Sequence, residues 1–505
     1  MYSHLRGSTL SINDFAIDRG YRDKVLKAIE PHVKNMSDAD KVKAYAKATD
    51  TVQKLQNKAL SGKNNAYDMI NSGSLSKAGN VRQMLSMPGV LTDVKGKPMP
   101  LPVLKSYSEG LDTADYFNTH YAARKGTVDR SVNTEKSGAL NKILLTVSRR
   151  LLITVTDCST RKGIDMEVSD PNALDRYALT TIPGLVKRNE LVTPEVIQRL
   201  KQAKIKNFKV RSPLTCEASQ GLCQHCYGLM PDGQVPALGT NIGALNAQAV
   251  TERSTQLTMQ TFHTGGALNT GGNVVQEFPR LNQLLKVPDP IKKNKASLSP
   301  IDGTVKKIVK NLTGGFDVTI DDKVVAVPSG NRPVVVVGAK LMKGDAVSDG
   351  VIMPQELGGL KDHLTAQRYI VDEMDNIYKN QFQKKTFETV VRSLSDNAIV
   401  TKAPEDSGFL RGDKSSPSYL NSLNKQRKKE GLAPIKYEEY FKSVDTLNVD
   451  YDDFLTQFTT NRIKNALTTG AAQGKYANIR GKDPIPAYLY GEDFGKGKVE
   501  RGEFY

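Results

Sequence analysis

The four cysteines limit the possible folds of this chain more than any other feature, because they are spaced like the ligands of one metal ion. Cys216, Cys223 and Cys226 follow the pattern C-x6-C-x2-C, and Cys158 precedes them across a longer segment. A C-x2-C pair brings two thiolates to one ion, and tetrahedral zinc takes four ligands. The sequence therefore predicts a structural zinc site that uses every cysteine. Unrelated buried thiols are the alternative, and His225 is a weaker ligand candidate than Cys158.

The composition indicates a chain of several domains with an anionic partner. Its 505 residues exceed one ordinary domain, and a hydrophobic fraction of 38% is enough to bury cores. The formal net charge of +17 favours nucleic acid as the partner, with acidic protein subunits as the alternative. No apolar run is long enough to span a bilayer and no signal peptide is apparent, so we expect a cytoplasmic protein with no membrane partner. In that reducing compartment, cysteines bind metals more often than they form disulfides.

Residues 252–267 predict a helix that ends in a glycine-rich tip. Met259, Phe262 and His263 lie close together at helical spacing, and a pair of glycines then breaks the helix. Helical spacing of apolar residues resumes after Asn273, which is typical of a hinged hairpin that closes over a substrate. His263 lies at the hinge, and a core histidine beside a helix C-cap is the alternative.

The segment 111–152 predicts one long helix. It contains no proline, and its basic residues point in several directions, as in a helix that crosses between two bodies. At about 1.5 Å per residue, such a helix spans roughly 50–60 Å. Gly126 and Gly138 each oppose it by about 1 kcal/mol, so two shorter helices joined at Gly138 are the alternative.

Other stretches predict secondary structure without indicating a function. Ser37 and Asp40 resemble a capping box ahead of an amphipathic helix, which can be half of a helical hairpin. Residues 295–352, including the run PVVVV, predict the strands of a small antiparallel barrel or sandwich. Further along we predict a helix with one apolar side (Val371, Met374, Tyr378 and Phe382), a Lys-rich loop over 401–433 and a helix near 453–468.

Several segments resemble, in order, the largest (β′) subunit of bacterial-type multisubunit RNA polymerases. The segment similar to the family's trigger loop reads TQLTMQTFHTGGA, and the one similar to its bridge helix reads EGLDTADYFNTHYAARKGTVDRSVNTEKSGALN. The residues around the cysteines, TDC, VRSPLTC and GLCQHCYG, are similar to the β′ zinc site. The resemblance covers roughly residues 65–490 and implies the C-terminal part of β′.

In the bridge-helix segment, the resemblance implies contacts with the template and other nucleic acid. The residues concerned are Arg124, Lys125, Thr134, Ser137 and Lys142. Glu135 departs from the family's usual Ala beside the template base, and a carboxylate facing nucleic acid repels it. Upstream, Leu75 stands where the family has Arg, so no catalytic role is implied there.

In the trigger-loop segment, the resemblance implies a catalytic role for four residues. Met259 closes against the incoming base, and Gln256 and Gln260 lie near its sugar or phosphates. His263 lies near the β-phosphate, as a general acid for pyrophosphate or as a positional cation. Gln260 stands where the family has Arg, so a weaker neutral contact replaces a charge-assisted one.

The expected fold class is α+β and mainly α, built as a series of modules. We expect a rim-helix-like region, a Gly-rich loop with a short helix, the bridge helix, a zinc module, the trigger loop with flanking helices, a β-rich module, a helical segment and a C-terminal anchoring module. Their expected boundaries, in the same order, are 1–64, 65–110, 111–152, 153–235, 236–290, 291–352, 353–400 and 401–505.

The resemblance implies that the chain takes part in RNA synthesis from nucleoside triphosphates on template DNA, and that it is inactive alone. The family's metal motif, NADFDGD, is absent, so catalytic Mg²⁺ is expected on an N-terminal β′-like partner chain, with β-like chains completing the cleft. Giant tailed bacteriophages have polymerases split in this way, which implies a phage origin and the host cytoplasm. The alternative function is a non-catalytic, zinc-stabilised DNA-binding subunit of a transcription complex.

Overall fold

A computed structural model describes most of the chain. The described residues are 14, 18–61, 64–72, 74, 78–93, 98–128, 131–132, 134–263, 277–286, 295–311, 314–378, 381–443, 468–470 and 472–474. Residues 39, 134, 255–263 and 277–279 are described by their backbone alone. The chain divides into two units, Met1–Asp445 and Thr446–Tyr505, and every element named below belongs to the first.

The N-terminal region is a pair of helices, α1 (Gly20–Val33) and α2 (Asp38–Leu60), which pack against each other. Ser37 caps α2, since its hydroxyl accepts a hydrogen bond from the backbone N–H of Asp40 at 3.3 Å. The predicted N-terminal cap and helical hairpin are thereby confirmed. Two short helices follow, α3 (Asn65–Asn71) and α4 (Ala78–Leu85).

Two helices occupy the segment predicted as one long helix, α5 (Thr113–Val128) and α6 (Thr134–Ser148). Residues 131–132 between them are π-helical, and residues 129, 130 and 133 lie outside the described residues. Single π-helical turns occur within longer helices, often at functional sites. Gly138 lies inside α6, so the alternative of two helices joined at Gly138 is wrong.

Short elements build the region around the cysteines. In chain order they are β1 (Ile153–Val155), β2 (Ile164–Glu167), α7 (Pro194–Gln202), β3 (Asn207–Val210), β4 (Leu222–Cys223) and α8 (Gln224–Tyr227). β2 pairs antiparallel with β3, and β1 pairs in parallel with β4. β1 ends at Val155, so the chain leaves the strand before it reaches Cys158. Asp157 forms a turn instead, and its carboxylate accepts a hydrogen bond from the Ser159 N–H at 2.8 Å.

The hairpin segment contains α9 (Ile242–His263) and α10 (Glu277–Leu285). α9 is described as far as His263, and the predicted glycine-rich tip over 264–276 lies outside the described residues. α9 packs along α6 in the most extensive helix-to-helix contact of the described elements. None of the described helices is both long and apolar enough to cross a bilayer.

The predicted β-rich region forms an antiparallel sheet. Its strands are β5 (Gly303–Lys310), β6 (Phe316–Ile320), β7 (Lys323–Val327) and β8 (Lys340–Leu341), in the spatial order β7–β6–β5–β8. The run PVVVV at 333–337 is not a strand, which corrects the prediction. Pro333 forms an isolated bridge with Ser348, and Val336 and Val337 remain 71% and 61% exposed, because no described strand pairs with them.

The remaining helices and strands form a mixed α/β region. In chain order they are α11 (Pro354–Leu360), α12 (His363–Tyr378), α13 (Lys384–Ser395), β9 (Ala398–Lys402), β10 (Lys414–Ser415), α14 (Pro417–Lys429) and β11 (Lys436–Glu439). α12 buries Val371, Met374 and Tyr378, as predicted. Phe382 lies beyond the end of this helix, with its ring 5.6 Å from that of Tyr378. α13 is buried along most of its length and occupies the centre of the region.

The stretch 401–433, predicted as a loop, contains β10 and α14. Ser416 caps α14 by accepting a hydrogen bond from the Tyr419 N–H at 3.1 Å, and Pro417 occupies the first turn. Leu420 is buried beside β9, while most of the charged side chains remain exposed. This helix is stabilised by the tertiary packing of one narrow apolar side. Its Lys-rich composition gives little sign of that side, so the sequence indicated a loop. The helix predicted near 453–468 lies almost wholly outside the described residues.

Candidate metal centre and helical face

The sulfurs of the four cysteines meet between β1, β4 and α8. All four Sγ atoms lie within 4.8 Å of one another, and Cys158 is 3.7 Å from Cys226 and 3.8 Å from Cys216. The thiols are free, since a disulfide bond is only about 2.05 Å long. Thiolates bound at about 2.3 Å to a tetrahedral ion lie about 3.8 Å apart, so the arrangement fits a structural metal such as zinc. The predicted clustering of Cys158, Cys216, Cys223 and Cys226 is confirmed.

Backbone N–H groups are directed at these sulfurs. The hydrogen bonds, of 3.3–3.4 Å, run from Glu217 to Cys158, from Cys223 to Cys216 and from Cys226 to Cys223. Gly221 precedes the C-x2-C pair with φ of +61°. A Cβ atom there would lie 2.1 Å from the carbonyl oxygen of Leu152, so this turn requires glycine.

Arg211 is completely buried against the sulfur cluster. Its Nη2 atom lies 3.3 Å from the sulfur of Cys158, 3.5 Å from that of Cys226 and 3.7 Å from that of Cys223. The guanidinium also forms an ion pair with Asp157 at 2.6 Å. Burial alone would lower the pKa of this guanidinium, but the charges of the sulfurs and Asp157 outweigh it and raise the pKa. A positive charge is thereby held against the thiolates.

His225 lies beside the cluster and does not belong to it. Its ring centroid is 4.6 Å from that of Tyr177, and Nδ1 lies 3.6 Å from the carboxylate of Asp157. The four donor atoms that converge are all sulfurs. His225, the weaker ligand candidate from the sequence, is therefore not one of the metal-binding residues in this arrangement.

Buried polar contacts tie this metal region to α13. Arg176 and Glu388 form a bidentate ion pair, with N–O distances of 2.8 and 2.7 Å, and both side chains are almost fully buried. Ser212 donates to the same carboxylate at 2.7 Å, and Arg392 donates to the carbonyl of Leu214 at 3.0 Å. Separating such a pair leaves an uncompensated buried charge, so the metal region and α13 are held together.

Small residues bring α6 and α9 into close contact. The hydroxyl oxygens of Ser137 and Ser254 are 3.1 Å apart in the middle of the contact. At its start, a Cβ atom on Gly243 would lie 1.8 Å from the carbonyl oxygen of Ser148. The position of α9 against α6 therefore depends on residues that have little or no side chain.

The structure divides the residues with an implied nucleic-acid contact into two groups. Arg124 on α5 and Lys142 on α6 are exposed. Lys125 is 2% exposed and Ser137 is fully buried, so these two side chains pack inside the protein and away from its surface. Thr134 is the first residue of α6, and its side chain lies outside the described residues.

The residues with an implied catalytic role all lie in the C-terminal half of α9. They are Gln256, Met259, Gln260 and His263, and their side chains lie outside the described residues. The helical backbone places them at positions i, i+3, i+4 and i+7, which share one side of a helix. One face of α9 therefore carries all four residues.

Comparison with known families matches this arrangement to two adjacent domains of one protein. The family description "RNA polymerase Rpb1, domain 4" matches residues 17–114, and "RNA polymerase Rpb1, domain 5" matches residues 110–314. Over residues 17–314, the chain consists of domains 4 and 5 of an RNA polymerase largest subunit. Domain 4 includes the α1–α2 hairpin, and domain 5 includes α5, α6, the four cysteines and α9.

Curated relatives in this family carry the name DNA-directed RNA polymerase subunit beta′. The protein of Thermoanaerobacter sp. is 27% identical, over 95% of this chain and 43% of its own length. Those of Geobacillus kaustophilus and Bacillus subtilis are 28% and 29% identical, each over 87% of this chain and 38% of its own length. The chain thus spans less than half the length of these largest-subunit relatives.

Arg211 and the Arg176–Glu388 pair are absent from the sequence predictions. The sequence signal for Arg211 is its place in the segment VRSPLTC, shortly before Cys216. Its partner sulfurs come from both sides of it along the chain, so no local pattern shows that they converge. Arg176 and Glu388 are farther apart still, and their pairing follows from the tertiary fold alone.

Proposed function

We propose that this chain supplies helices that line the active centre of a DNA-dependent RNA polymerase, in which RNA is made from nucleoside triphosphates on template DNA. The carrying observation is that α9, the helix that carries Gln256, Met259, Gln260 and His263, packs along α6 and also contacts α5. In this proposal, α5 and α6 form the bridge helix, and α9 and α10 form the arms of the trigger loop. Two findings support this assignment. The relatives are named as beta′ subunits, and this chain matches only part of their length.

The exposed cations are the proposed contacts with nucleic acid. Arg124 and Lys142 reach solvent, and the net charge of +17 favours a polyanion. Thr134 is proposed to join them at the start of α6. Lys125 and Ser137 are proposed to hold the shape of this face from inside, because both are buried.

Closure of α9 over a bound nucleotide is the proposed role of the trigger-loop residues. Met259 would pack on the incoming base, and Gln256 and Gln260 would donate to its sugar or phosphates. His263 would lie near the β-phosphate and either protonate the leaving pyrophosphate or stabilise its charge. Gln260 donates without a positive charge, so we expect His263 to supply more of the stabilisation.

Zinc is the metal proposed for the four cysteines, with a structural role. Four sulfurs close the coordination sphere and leave no open position for substrate. The S–S distances of 3.7 and 3.8 Å suit this ion. The metal would hold together the loops that carry β1, β4 and α8.

Catalytic Mg²⁺ is proposed to be bound by carboxylates outside this sequence. Two-metal phosphoryl transfer needs clustered carboxylates, and among the described residues no such cluster converges. The carboxylates would lie on a β′-like segment, as a separate chain or as part of a longer one, with β-like chains completing a cytoplasmic enzyme. The bacterial relatives lend no support to a phage origin, and the proposal does not depend on one.

Replacement of His263 tests the catalytic proposal. In the assembled polymerase on a DNA–RNA scaffold, we expect His263→Ala to slow single-nucleotide addition by roughly 10²–10⁴-fold if His263 is a proton donor. If His263 acts by position alone, the loss is smaller and His263→Gln restores most of the rate. DNA binding should stay at the wild-type level in both variants.

The matched control is His32→Ala, which removes an exposed histidine of α1. We expect it to leave the addition rate unchanged. A wild-type rate in a correctly assembled His263→Ala enzyme would exclude both roles. It would favour the non-catalytic DNA-binding subunit as the function instead.

A further inference from the structure

The four-cysteine cluster is a buried charge that this protein must compensate. Four thiolates around one divalent ion carry two net negative charges, and three of these cysteines are buried. Burial of uncompensated charge is strongly destabilising. Backbone N–H groups supply partial compensation, as described above, and a nearby cation supplies more.

Among the described residues, Arg211 is the cation whose side chain touches the sulfurs. One nitrogen, Nη2, is within 3.7 Å of the sulfurs of Cys158, Cys223 and Cys226. Arg392 on α13 is also buried and interacts with the sulfurs by charge, while its own hydrogen bonds go to Leu214 and other neighbours. The two arginines are therefore not equivalent.

The guanidinium of Arg211 is held in this orientation by two anchors. Nη1 donates to Oδ1 of Asn189 at 2.8 Å, and the carboxylate of Asp157 lies 2.6 Å from Nη2. Asn189 also donates to Asp157 at 3.0 Å, so the three side chains form a closed network. Asn189 has φ of +60°, a conformation that asparagine tolerates better than most residues.

We propose that Arg211 is a positioning residue that neutralises the metal–thiolate cluster and suppresses the reactivity of its sulfurs. A hydrogen bond from a cation withdraws electron density from a thiolate, which lowers its nucleophilicity. The same positive charge stabilises the metal-bound form over the metal-free form. This inference rests on the proposed zinc site.

Spectra of the cobalt-substituted full-length chain report on the sulfurs directly. In Arg211→Met, we expect the sulfur-to-cobalt charge-transfer bands to move to lower energy, because the thiolates lose a donor. Arg211→Lys keeps the positive charge but loses the planar guanidinium and its fixed N–H donors. The charge-transfer bands of Arg211→Lys should therefore lie between those of Arg211→Met and wild type. A variant with only a packing defect would leave the band energies unchanged.

Release of zinc to a chelator gives a second measure of the same role. We expect Arg211→Met to release zinc roughly 10–100-fold faster than wild type, as is typical when an outer partner of a metal ligand is removed. Alkylation of the thiols by a small electrophile should accelerate in parallel. Arg188→Met is the matched control, since Arg188 is exposed and donates to the carbonyl of Thr160 at 3.0 Å.

The outcomes separate this inference from the zinc proposal. Wild-type protein without tightly bound zinc would overturn the metal assignment itself. Wild-type band energies and release rates in a folded Arg211→Met protein that holds zinc would overturn the role of Arg211. If Arg211→Met does not fold, the test is made with Asn189→Ala, which removes one of the two anchors of the Arg211 guanidinium. Faster zinc release supports the inference, and a wild-type rate in Asn189→Ala overturns it.

Discussion

Glu109 illustrates how single residues set the stability of the N-terminal region. Its carboxylate accepts hydrogen bonds from Arg22 of α1, at 2.5 and 3.1 Å, and from the Ser106 N–H at 2.8 Å. Burial alone would raise the pKa of this carboxyl, but the bonds to Arg22 and Ser106 outweigh it and lower the pKa from 4.5 to about 2. The ion pair joins α1 to the segment that leads into α5.

The depressed pKa predicts acid sensitivity. The stabilisation by Glu109 is fully present above the unfolded-state pKa of 4.5 and is lost as the pH falls towards about 2, because the native carboxyl must then be protonated. We expect Glu109→Gln to lower the thermal unfolding midpoint at neutral pH. The difference from wild type should shrink between pH 4.5 and 2.

The matched control is Glu30→Gln on the exposed side of α1. This variant removes a carboxylate from the same helix without touching Arg22. Its unfolding midpoint should follow that of the wild type across the pH range. A constant difference between Glu109→Gln and wild type from neutral pH to pH 2 would contradict the ion-pair explanation.

At the scale of elements, two glycines in neighbouring helices should respond to alanine in opposite ways. A Cβ on Gly243 of α9 would lie 1.8 Å from the Ser148 carbonyl oxygen, so Gly243→Ala must displace α9 from α6. We expect it to destabilise the protein by about 1–3 kcal/mol. Gly138 of α6 has open space around its Cβ position, so Gly138→Ala should stabilise the helix by ~1 kcal/mol.

Denaturant or thermal unfolding of the two variants checks this pair of predictions. The same substitution at both sites controls for the change in backbone entropy. Equal effects of the two substitutions would contradict the close α6–α9 contact. RNA extension by Gly138→Ala adds a functional readout, because Gly138 lies one turn from the exposed Lys142 on α6.

Elements with local signals could be predicted from the sequence, and elements held by distant contacts could not. Ser37 marks the start of α2, and the C-x2-C pair marks the metal centre, because a cap and a knuckle involve neighbouring residues. α14 has only a narrow apolar side that packs beside β9, and its many lysines led to the incorrect prediction of a loop. The run at 333–337 has the composition of a strand, but no described strand pairs with Val336 or Val337.

The site shows the same division between local and distant information. Helical spacing alone aligns Gln256 and His263 on one side of α9. The burial of Ser137 could not be predicted, because it depends on where α9 packs, and that of Lys125 likewise follows from the tertiary fold. The contact of Arg211 with three sulfurs likewise arises from the tertiary fold.

Across the larger unit of the chain, the metal region and the candidate catalytic helices share one support. α13 is tied to the metal region by Arg176 and Glu388, and it also packs against α6 and α9. Loss of the metal should therefore weaken the packing of α9 against α13 and destabilise the loops around the cysteines. This links a structural ion to the helices proposed to act on nucleotides.

The central claim is that this chain provides α5, α6 and α9 to a polymerase whose catalytic carboxylates lie outside this sequence. The most direct measurement is primer extension on a DNA–RNA scaffold by the purified assembly, with this chain or the carboxylate-bearing segment omitted in turn. The complete assembly should extend the RNA according to the template, and either omission should abolish extension. RNA synthesis by this chain alone, or by an assembly that lacks it, would contradict the claim.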